Sequence, residues 1–388
     1  MERIDTFNFS CVPNIVSAPG AAQSLASLIR QHFPQVRRVL VVTDPGFLAT
    51  GLVDAPVAAL ENAGFAVSIY SDVRADPPEA VVIQAAEFAR GCAAELVIGL
   101  GGGSSMDVAK LIAVLAGSRQ ELKTMYGIGN VTGDRLPLIQ VPTTAGTGSE
   151  MTHISIITTG ETTKMGVVAP QLFADIAVLD ADLTLGLPPK ATAATGIDAM
   201  VHAIEAYTNK NTKNPISDVL AYKSLSLLYT HIDAVCENGK DRSARQAMLL
   251  GSMLAGMAVA SSPCAGVHAL AYPVGGIFHV VHGISNALVL PEVLRFNVPA
   301  AAHQYAELAA IVAPAARGSD EAKAMSMIEE LERLAARLHV ETRLSQVGIK
   351  ESDLDRMAED AMLQTRLLKN NPREITQADA RAIYAATL

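Results

Sequence analysis

The first half of the chain alternates short β-branched apolar runs with segments whose apolar residues recur at helical spacing. Arg38–Asp44, RVLVVTD, predicts a buried parallel strand ending in a turn at Pro45-Gly46. Val53–Ala63 predicts a helix stopped by Gly64, and Phe65–Tyr70 the next strand. Pro78–Cys92 predicts a helix with proline near its start. Leu96–Leu100 and Leu136–Val141 repeat the strand pattern. The first runs straight into Gly101-Gly102-Gly103-Ser104; the second ends at Pro142. This β-α-β-α order implies a mostly parallel sheet with helices on its faces and ligands beyond the carboxyl ends of its strands. After about Pro188 strand-like runs become rare and Ala-, Leu- and Met-rich helical periodicity takes over. Asp180–Pro189 reads as the connector. The expected organisation is an α/β, Rossmann-like domain over residues 1–187 and an all-helical domain over residues 188–388.

Within the helical half, residues 248–291 contain no Asp, Glu, Lys or Arg. His268 and His282 lie there, in GVHALAYPVGGIFHVVHGISN (Gly266–Asn286). Imidazoles in such surroundings need a partner, because an unpaired buried polar group costs a few kcal/mol. Upstream, GIDAMVHAIE (Gly196–Glu205) sets Asp198 and His202 at i, i+4, on one helix face. Taken alone, each half has a simpler explanation: a surface pair or cap for the first, a satisfied core histidine for the second. Together, one carboxylate and three imidazoles suit a divalent transition metal such as iron or zinc. Cys264 lies close by; it reads first as a buried, inert thiol, with metal ligation as the alternative. The uncharged run is broken by Pro263, Pro273 and Gly275-Gly276, whereas a membrane-spanning helix needs roughly 20 continuous apolar residues. Buried helices lining a site are therefore expected, with no membrane association.

Two glycine-rich turns follow strands in the first domain. LVIGLGGGSSMDVAK (Leu96–Lys110) is strand, then GGGS, then helix; a helix N-terminus offers unbonded N–H groups and a positive dipole end to a pyrophosphate. Asp107 is expected in the first turn of that helix, where its plain role is to favour the dipole. PTTAGTGSE (Pro142–Glu150) brings Thr143, Thr144, Thr147 and Ser149, which can bond phosphate, ribose or nicotinamide amide, or satisfy their own loop. Asp44 is placed to accept from a ribose diol, and an acid there favours NAD over NADP. The competing role for Asp44 is an Asp-Pro-Gly turn.

Of 388 residues, 50% are hydrophobic and 18% charged, which fits a compact enzyme and not a disordered chain. The net charge of −9 gives nucleic-acid binding no basic patch. Four cysteines without C-x-x-C spacing suggest reduced thiols in the cytoplasm. The N-terminal MERIDTFNFSCVPN has no apolar signal core. Exposed apolar helices in so hydrophobic a chain favour a homodimer or larger homo-oligomer.

Together, VVTD (Val41–Asp44), GGGSSMDVAK (Gly101–Lys110), PTTAGTGSE, GIDAMVHAIEAY (Gly196–Tyr207) and the GVHALAYPVGG and VHG pieces of Gly266–Gly283 resemble the iron-containing (group III) alcohol dehydrogenase family over nearly the whole chain. The resemblance implies the dehydroquinate-synthase-like two-domain architecture. It also implies that Asp198, His202, His268 and His282 bind one divalent metal, usually Fe²⁺ and sometimes Zn²⁺. It implies NAD(P) binding by Gly101, Gly102, Gly103, Ser104, Thr143 and Thr144, with Asp44 at the adenosine ribose and Lys164 near the nucleotide. Asp107 and Ser149 belong to the same candidate set. The expected reaction is hydride transfer between a small alcohol and its aldehyde or ketone. Many relatives carry histidine four residues after the third ligand; here Tyr272 stands there. A phenol titrates near pH 10 rather than about 6.5, so it is a weaker proton shuttle at neutral pH. His279 is a second candidate for that role, against the simpler one of helix cap. Alternatives are a hydroxy-acid (4-hydroxybutyrate-like) dehydrogenase, or a dehydroquinate-synthase-like or glycerol-phosphate enzyme of the same fold. Phosphorylated substrates want a basic pocket, which the uncharged run does not offer.

Overall fold

The computed structural model describes residues 6–160 and 163–388; the charged start of the chain, Met1–Asp5, lies outside them. The chain divides into two compact units. One is Cys11–Leu187 with Lys240–Met253; the other is Pro188–Gly239 with Leu254–Leu388 and the described residues before Cys11. Lys240–Met253 thus departs from a single cut between 187 and 188.

Among the described residues the first unit carries nine strands: β1 (Asn14–Ser17), β2 (Arg38–Val42), β3 (Ala66–Tyr70), β4 (Leu96–Gly101), β5 (Gly127–Ile128), β6 (Leu138–Pro142), β7 (Ile154–Thr159), β8 (Thr163–Val168) and β9 (Ile176–Leu179). Its helices include α1 (Leu25–His32), α2 (Pro45–Leu48), α3 (Asp54–Asn62), α4 (Glu79–Gly91) and α5 (Gly103–Gly117). Six strands form one sheet in the order β1-β9-β6-β4-β2-β3, with every pairing parallel. Every residue of β4, LVIGLG, is buried, as a central strand covered on both faces requires. Ile98, Leu100, Val39, Val41, Ile139 and Ile176 share one core with Leu25, Ile29 and Leu60 from the flanking helices. Each such aliphatic side chain contributes about 1.5–3 kcal/mol by burial. A second sheet, β5-β8-β7, was not expected; its β7–β8 pairing is antiparallel.

The strands and helices predicted for this half form with ends moved by one or two residues. Strand β2 stops at Val42, because Asp44 caps the short helix α2, accepting from Phe47 N at 2.9 Å. Helix α5 is fixed to the sheet at two points. Gly99 admits it closely, since a Cβ there would meet Gln140 Oε1 at 2.1 Å and Ala109 Cβ at 2.9 Å. Gln140, fully buried, donates to Met106 O at 3.0 Å.

His153 precedes β7 and packs against Phe173, with ring centroids 4.8 Å apart and the rings tilted by 31°. Burial, reinforced by Lys110, lowers its imidazole to about 4. The unfolded chain protonates this histidine near pH 6.5 and the folded chain near 4, so stability is full above about pH 6.5 and falls as pH drops through that window. Up to about 3 kcal/mol is at stake. Urea unfolding near pH 7 and pH 5 should show this loss, and His153→Phe should reduce it. An unchanged pH dependence in the variant would refute the assignment.

The second unit is helical among the described residues: α6 (Pro189–Thr208), α7 (Pro215–Glu237), the end of α8 (Arg242–Ser261), α9 (Gly266–Phe278), α10 (His282–Val312), α11 (Asp320–Arg337), α12 (Leu354–Met362), α13 (Thr365–Leu368) and α14 (Gln377–Thr387). No single helix among the described residues is long and apolar enough to cross a membrane. The uncharged run is split between α8, α9 and α10, and most of its residues are buried. Gly283 lets α10 meet α6: a Cβ there would lie 2.1 Å from Ala194 O and 2.6 Å from Ala194 C. The obstacle is backbone, so Gly283→Ala should cost about 3 kcal/mol, as overpacked cores do. Chemical denaturation measures this directly, and a variant of wild-type stability would contradict the contact.

Candidate metal and nucleotide sites

Asp198 and His202 project from α6, His268 from the start of α9, and His282 is the first residue of α10. Asp198, His202 and His268 are buried, while the His282 side chain keeps 40% exposure. Their donor atoms converge on His268. His268 Nε2 lies 3.0 Å from His202 Nε2 and 3.7 Å from Asp198 Oδ1, and His282 Nε2 lies 3.5 Å from Asp198 Oδ1. Ligating atoms of Asp198, His268 and His282 all fall within 4.8 Å of one another. Those of His202, Cys264 and His268 form a second such triad. The four expected ligands therefore meet, but with His268 shared between two groups rather than as one tight quartet. Cys264, expected to be inert, belongs to the cluster.

Two further residues complete it. Glu205, buried on α6, accepts from Ala265 N at 3.0 Å, Val267 N at 2.6 Å and His268 Nδ1 at 2.6 Å. The carboxylate caps α9 and holds His268 Nδ1, so Nε2 is the ring nitrogen left to face the cluster. Asn286 Nδ2 donates to Asp198 Oδ1 at 2.6 Å and stands 3.3 Å from His268 Nε2 and 3.4 Å from His282 Nε2. Both were readable as spacing: Asp198, His202 and Glu205 are i, i+4, i+7 on one helix face, and Asn286 is i+4 from His282.

The electrostatics favour a cation. Burial would raise the Asp198 carboxyl, but His202 and then His282 and His268 hold it well below the usual carboxylate range. Burial would lower His268 and His202; instead Cys264 and Glu205 carry His268 well above its ordinary value, and Asp198 raises His202. Burial would likewise raise the Cys264 thiol, yet His268 and His202 bring it down to about 7. Two imidazole nitrogens only 3.0 Å apart, beside a carboxylate and a thiol, share positive charge, carried by a proton or by a cation in its place. A divalent metal fits this donor set.

Tyr272 is half-buried one turn after His268, its ring centroid 6.1 Å from that of His282. His279 closes α9 in the left-handed conformation, φ 57°, and is exposed. Among the described residues no hydrogen bond or ring contact joins it to the cluster.

In the first unit the loops after β2, β4 and β6 come from strands adjacent in the sheet. Thr143 N donates to Gly101 O at 3.0 Å. A Cβ on Gly101 would meet Ser105 at 2.6 Å and Asp44 Oδ2 at 3.4 Å, and one on Gly103 would meet Thr147 Cγ2 at 2.7 Å. Gly101 and Gly103 are thus required by the loop's own packing. Helix α5 begins after Gly102 with no side-chain cap, leaving its first N–H groups for an anion. One Asp44 oxygen caps α2; the other has Ser105 Oγ at 3.4 Å.

Three candidates have occupations of their own. Asp107 is the fifth residue of α5, past the first turn, because the helix starts as early as Gly103. Its oxygens accept from Ser149 Oγ at 2.6 Å and Ile156 N at 2.8 Å. Ser149 is buried in the same network, where the fully buried Lys110 donates to Ser149 Oγ at 2.7 Å, Thr152 Oγ1 at 3.0 Å and Ile154 O at 2.7 Å. Burial lowers the Lys110 amine, opposed by Asp107 and Glu150. This unanticipated lysine braces the helix behind the glycine loop. Lys164, on β8, pairs with Asp76 and sits 3.4 Å from Thr158 Oγ1.

Two family models match: iron-containing alcohol dehydrogenase over residues 13–181, and the C-terminal part of the Fe-containing alcohol dehydrogenase family over residues 192–388. The chain is 42% identical over 365 residues to long-chain-alcohol dehydrogenase 1 of Geobacillus thermodenitrificans, covering 92% of each. A crystal structure of 1,3-propanediol oxidoreductase superposes with a TM-score of 0.94 at 30% identity, covering 99% of this chain and 100% of that one. Sulfoacetaldehyde reductase from Bifidobacterium kashiwanohense, solved in complex with NAD⁺, superposes at 0.87 and 28% identity, covering 99% of each. The chain belongs to the iron-containing alcohol dehydrogenase family. It is an oxidoreductase that interconverts alcohols and their carbonyl counterparts.

Proposed function

We propose that this chain is an NAD- and iron-dependent dehydrogenase of small uncharged alcohols, acting reversibly on the corresponding aldehydes or ketones. The observation that carries the reading is the convergence of Asp198, His202, His268 and His282, with Glu205 holding His268 Nδ1. These four residues would hold the metal, Fe²⁺ or, failing that, Zn²⁺. Gly101, Gly102, Gly103, Ser104, Thr143 and Thr144 would hold the dinucleotide phosphates and Asp44 the ribose. The Asp44 carboxylate supports NAD over NADP, since it repels a 2′-phosphate. Bound there, the metal supplies Lewis acidity toward the substrate oxygen and the dinucleotide supplies or accepts hydride.

The chain's own work is positioning. Glu205 and Asn286 orient the ligands, and Asp107, Ser149 and Lys110 brace the loop. Lys164 supports the small sheet through Asp76. Tyr272, beside His282, orients the substrate hydroxyl or relays its proton toward solvent. The absence of Lys and Arg from residues 248–291 supports uncharged substrates over hydroxy-acids and phosphorylated ones. The free thiols of Cys11 and Cys92 accord with a cytoplasmic setting. Exposed Ile216, Val219 and Tyr222 on α7 support a homodimer or larger homo-oligomer, which sedimentation would test.

The deciding experiment follows NADH formation with a panel of short alcohols, using protein stripped of metal and reloaded anaerobically with Fe²⁺ or Zn²⁺. Metal-dependent turnover is expected. No turnover with any alcohol, despite measurable NADH binding, would overturn the substrate assignment.

A further inference from the structure

We infer that the metal centre has a second, softer coordination face, in which the Cys264 thiolate joins His202 and His268 to hold a thiophilic divalent cation such as Zn²⁺. The inference rests on the reading of Asp198, His202, His268 and His282 as a metal centre. The three donor atoms of this face lie within 4.8 Å of one another, as closely grouped as Asp198, His268 and His282. His268 Nδ1 is committed to Glu205, so both faces must use His268 Nε2. A single ion is therefore involved, held toward Asp198 and His282 or toward Cys264.

The thiol is held where it is by its backbone. In four consecutive residues, Ser262 Oγ donates to Ala206 O at 2.7 Å and Pro263 O accepts from Asn209 Nδ2 at 2.8 Å. Cys264 O accepts from Asn370 Nδ2 at 2.9 Å, and Ala265 N donates to Glu205 at 3.0 Å. The link between α8 and α9 is thereby tied to α6, the helix that carries His202 and Asp198. Among the described residues His202 Nδ1 is buried without a hydrogen-bond partner, unlike His268 Nδ1. No outer contact fixes the ring toward the carboxylate face as Glu205 fixes His268.

The donor types separate the two faces chemically. Thiolate with two imidazoles suits zinc and other soft or borderline ions in tetrahedral geometry, whereas carboxylate with imidazoles suits harder Fe²⁺. On binding, the thiol proton leaves to solvent and a sulfur–metal bond forms; no electrons are transferred. A soft ion would be retained on this face at the expense of Fe²⁺.

Anaerobic titration of the metal-stripped full chain with Co²⁺ tests this, since cobalt bound to thiolate shows a near-ultraviolet charge-transfer band beside its visible ligand-field bands. The wild type should show both. Cys264→Ser should lose the charge-transfer band and keep visible bands, and Asp198→Asn should keep the charge-transfer band. Cys264→Ala serves if the serine variant does not fold. Ligand-field bands without charge transfer in the wild type, or a band that survives in Cys264→Ser, would overturn the inference while leaving the metal centre intact. Failure to bind Co²⁺ at all would remove both.

Discussion

Replacing His268 with alanine is expected to strip the protein of its metal and lower turnover on the order of a thousandfold or more. Lewis-acid assistance is worth several kcal/mol of barrier, and each 1.4 kcal/mol or so is tenfold in rate. The size of the effect follows from position. His268 is the one donor common to both triads, so its loss leaves neither with three ligands. The fold should survive, because Glu205 would still accept from Ala265 and Val267 and keep α9 capped. Elemental analysis, steady-state rates and far-ultraviolet dichroism on one preparation are sufficient. A variant that retains metal and full activity would sink the metal-centre reading.

Glu205→Ala should damage both stability and metal retention. It leaves two buried main-chain N–H groups and His268 Nδ1 without their acceptor, at about 1–3 kcal/mol for each unpaired donor. Loss of the partner that fixes a ligating histidine typically weakens metal affinity 10–100-fold. Glu205→Gln separates the two effects. It keeps an acceptor for the helix start but turns an amide N–H toward one of the donors, so affinity should fall with a smaller stability loss. Denaturation and metal-competition titrations on both variants would show this. Equal metal affinity in wild type and Glu205→Ala would deny Glu205 a positioning role.

The parallel strands were legible because β2, β3, β4 and β6 are apolar runs of five or six residues bounded by turn chemistry. The edge strand β1, NIVS, and its inner neighbour β9, IAVL, are four residues each and owe their existence to pairing with each other and, for β9, with β6. Nothing local distinguishes them. The small sheet was missed for a related reason: Ile154–Thr159 and Thr163–Val168 sit inside a stretch read for its loop residues. At the site, His268 and His282 were visible as imidazoles in an uncharged run, and Asp198 and His202 as an i, i+4 pair. Glu205 and Asn286 were missed although their helical spacing carried the signal. Cys264, four residues before His268, carried the same spacing but was read as an inert thiol; Lys110 had no such signal, since what assigns it is proximity across the sequence, as to Ser149, 39 residues on. Asp107 was misjudged by where its helix begins.

The helix Arg242–Ser261 begins in one compact unit and ends in the other. Its first turns are bonded to the α/β unit: Arg242 pairs with Asp182 at 2.9 Å, Arg245 Nη2 donates to Leu187 O at 3.0 Å, and Gln246 Nε2 donates to Ser17 Oγ at 2.8 Å. The nucleotide half is consequently not an excisable cassette. A fragment cut at Leu187 would lose these three contacts with Ser17, Asp182 and Leu187. Swapping cofactor halves between relatives would require grafting residues 240–253 along with residues 11–187, so that recombination by a single crossover at the apparent boundary yields a chimera lacking part of its own wall.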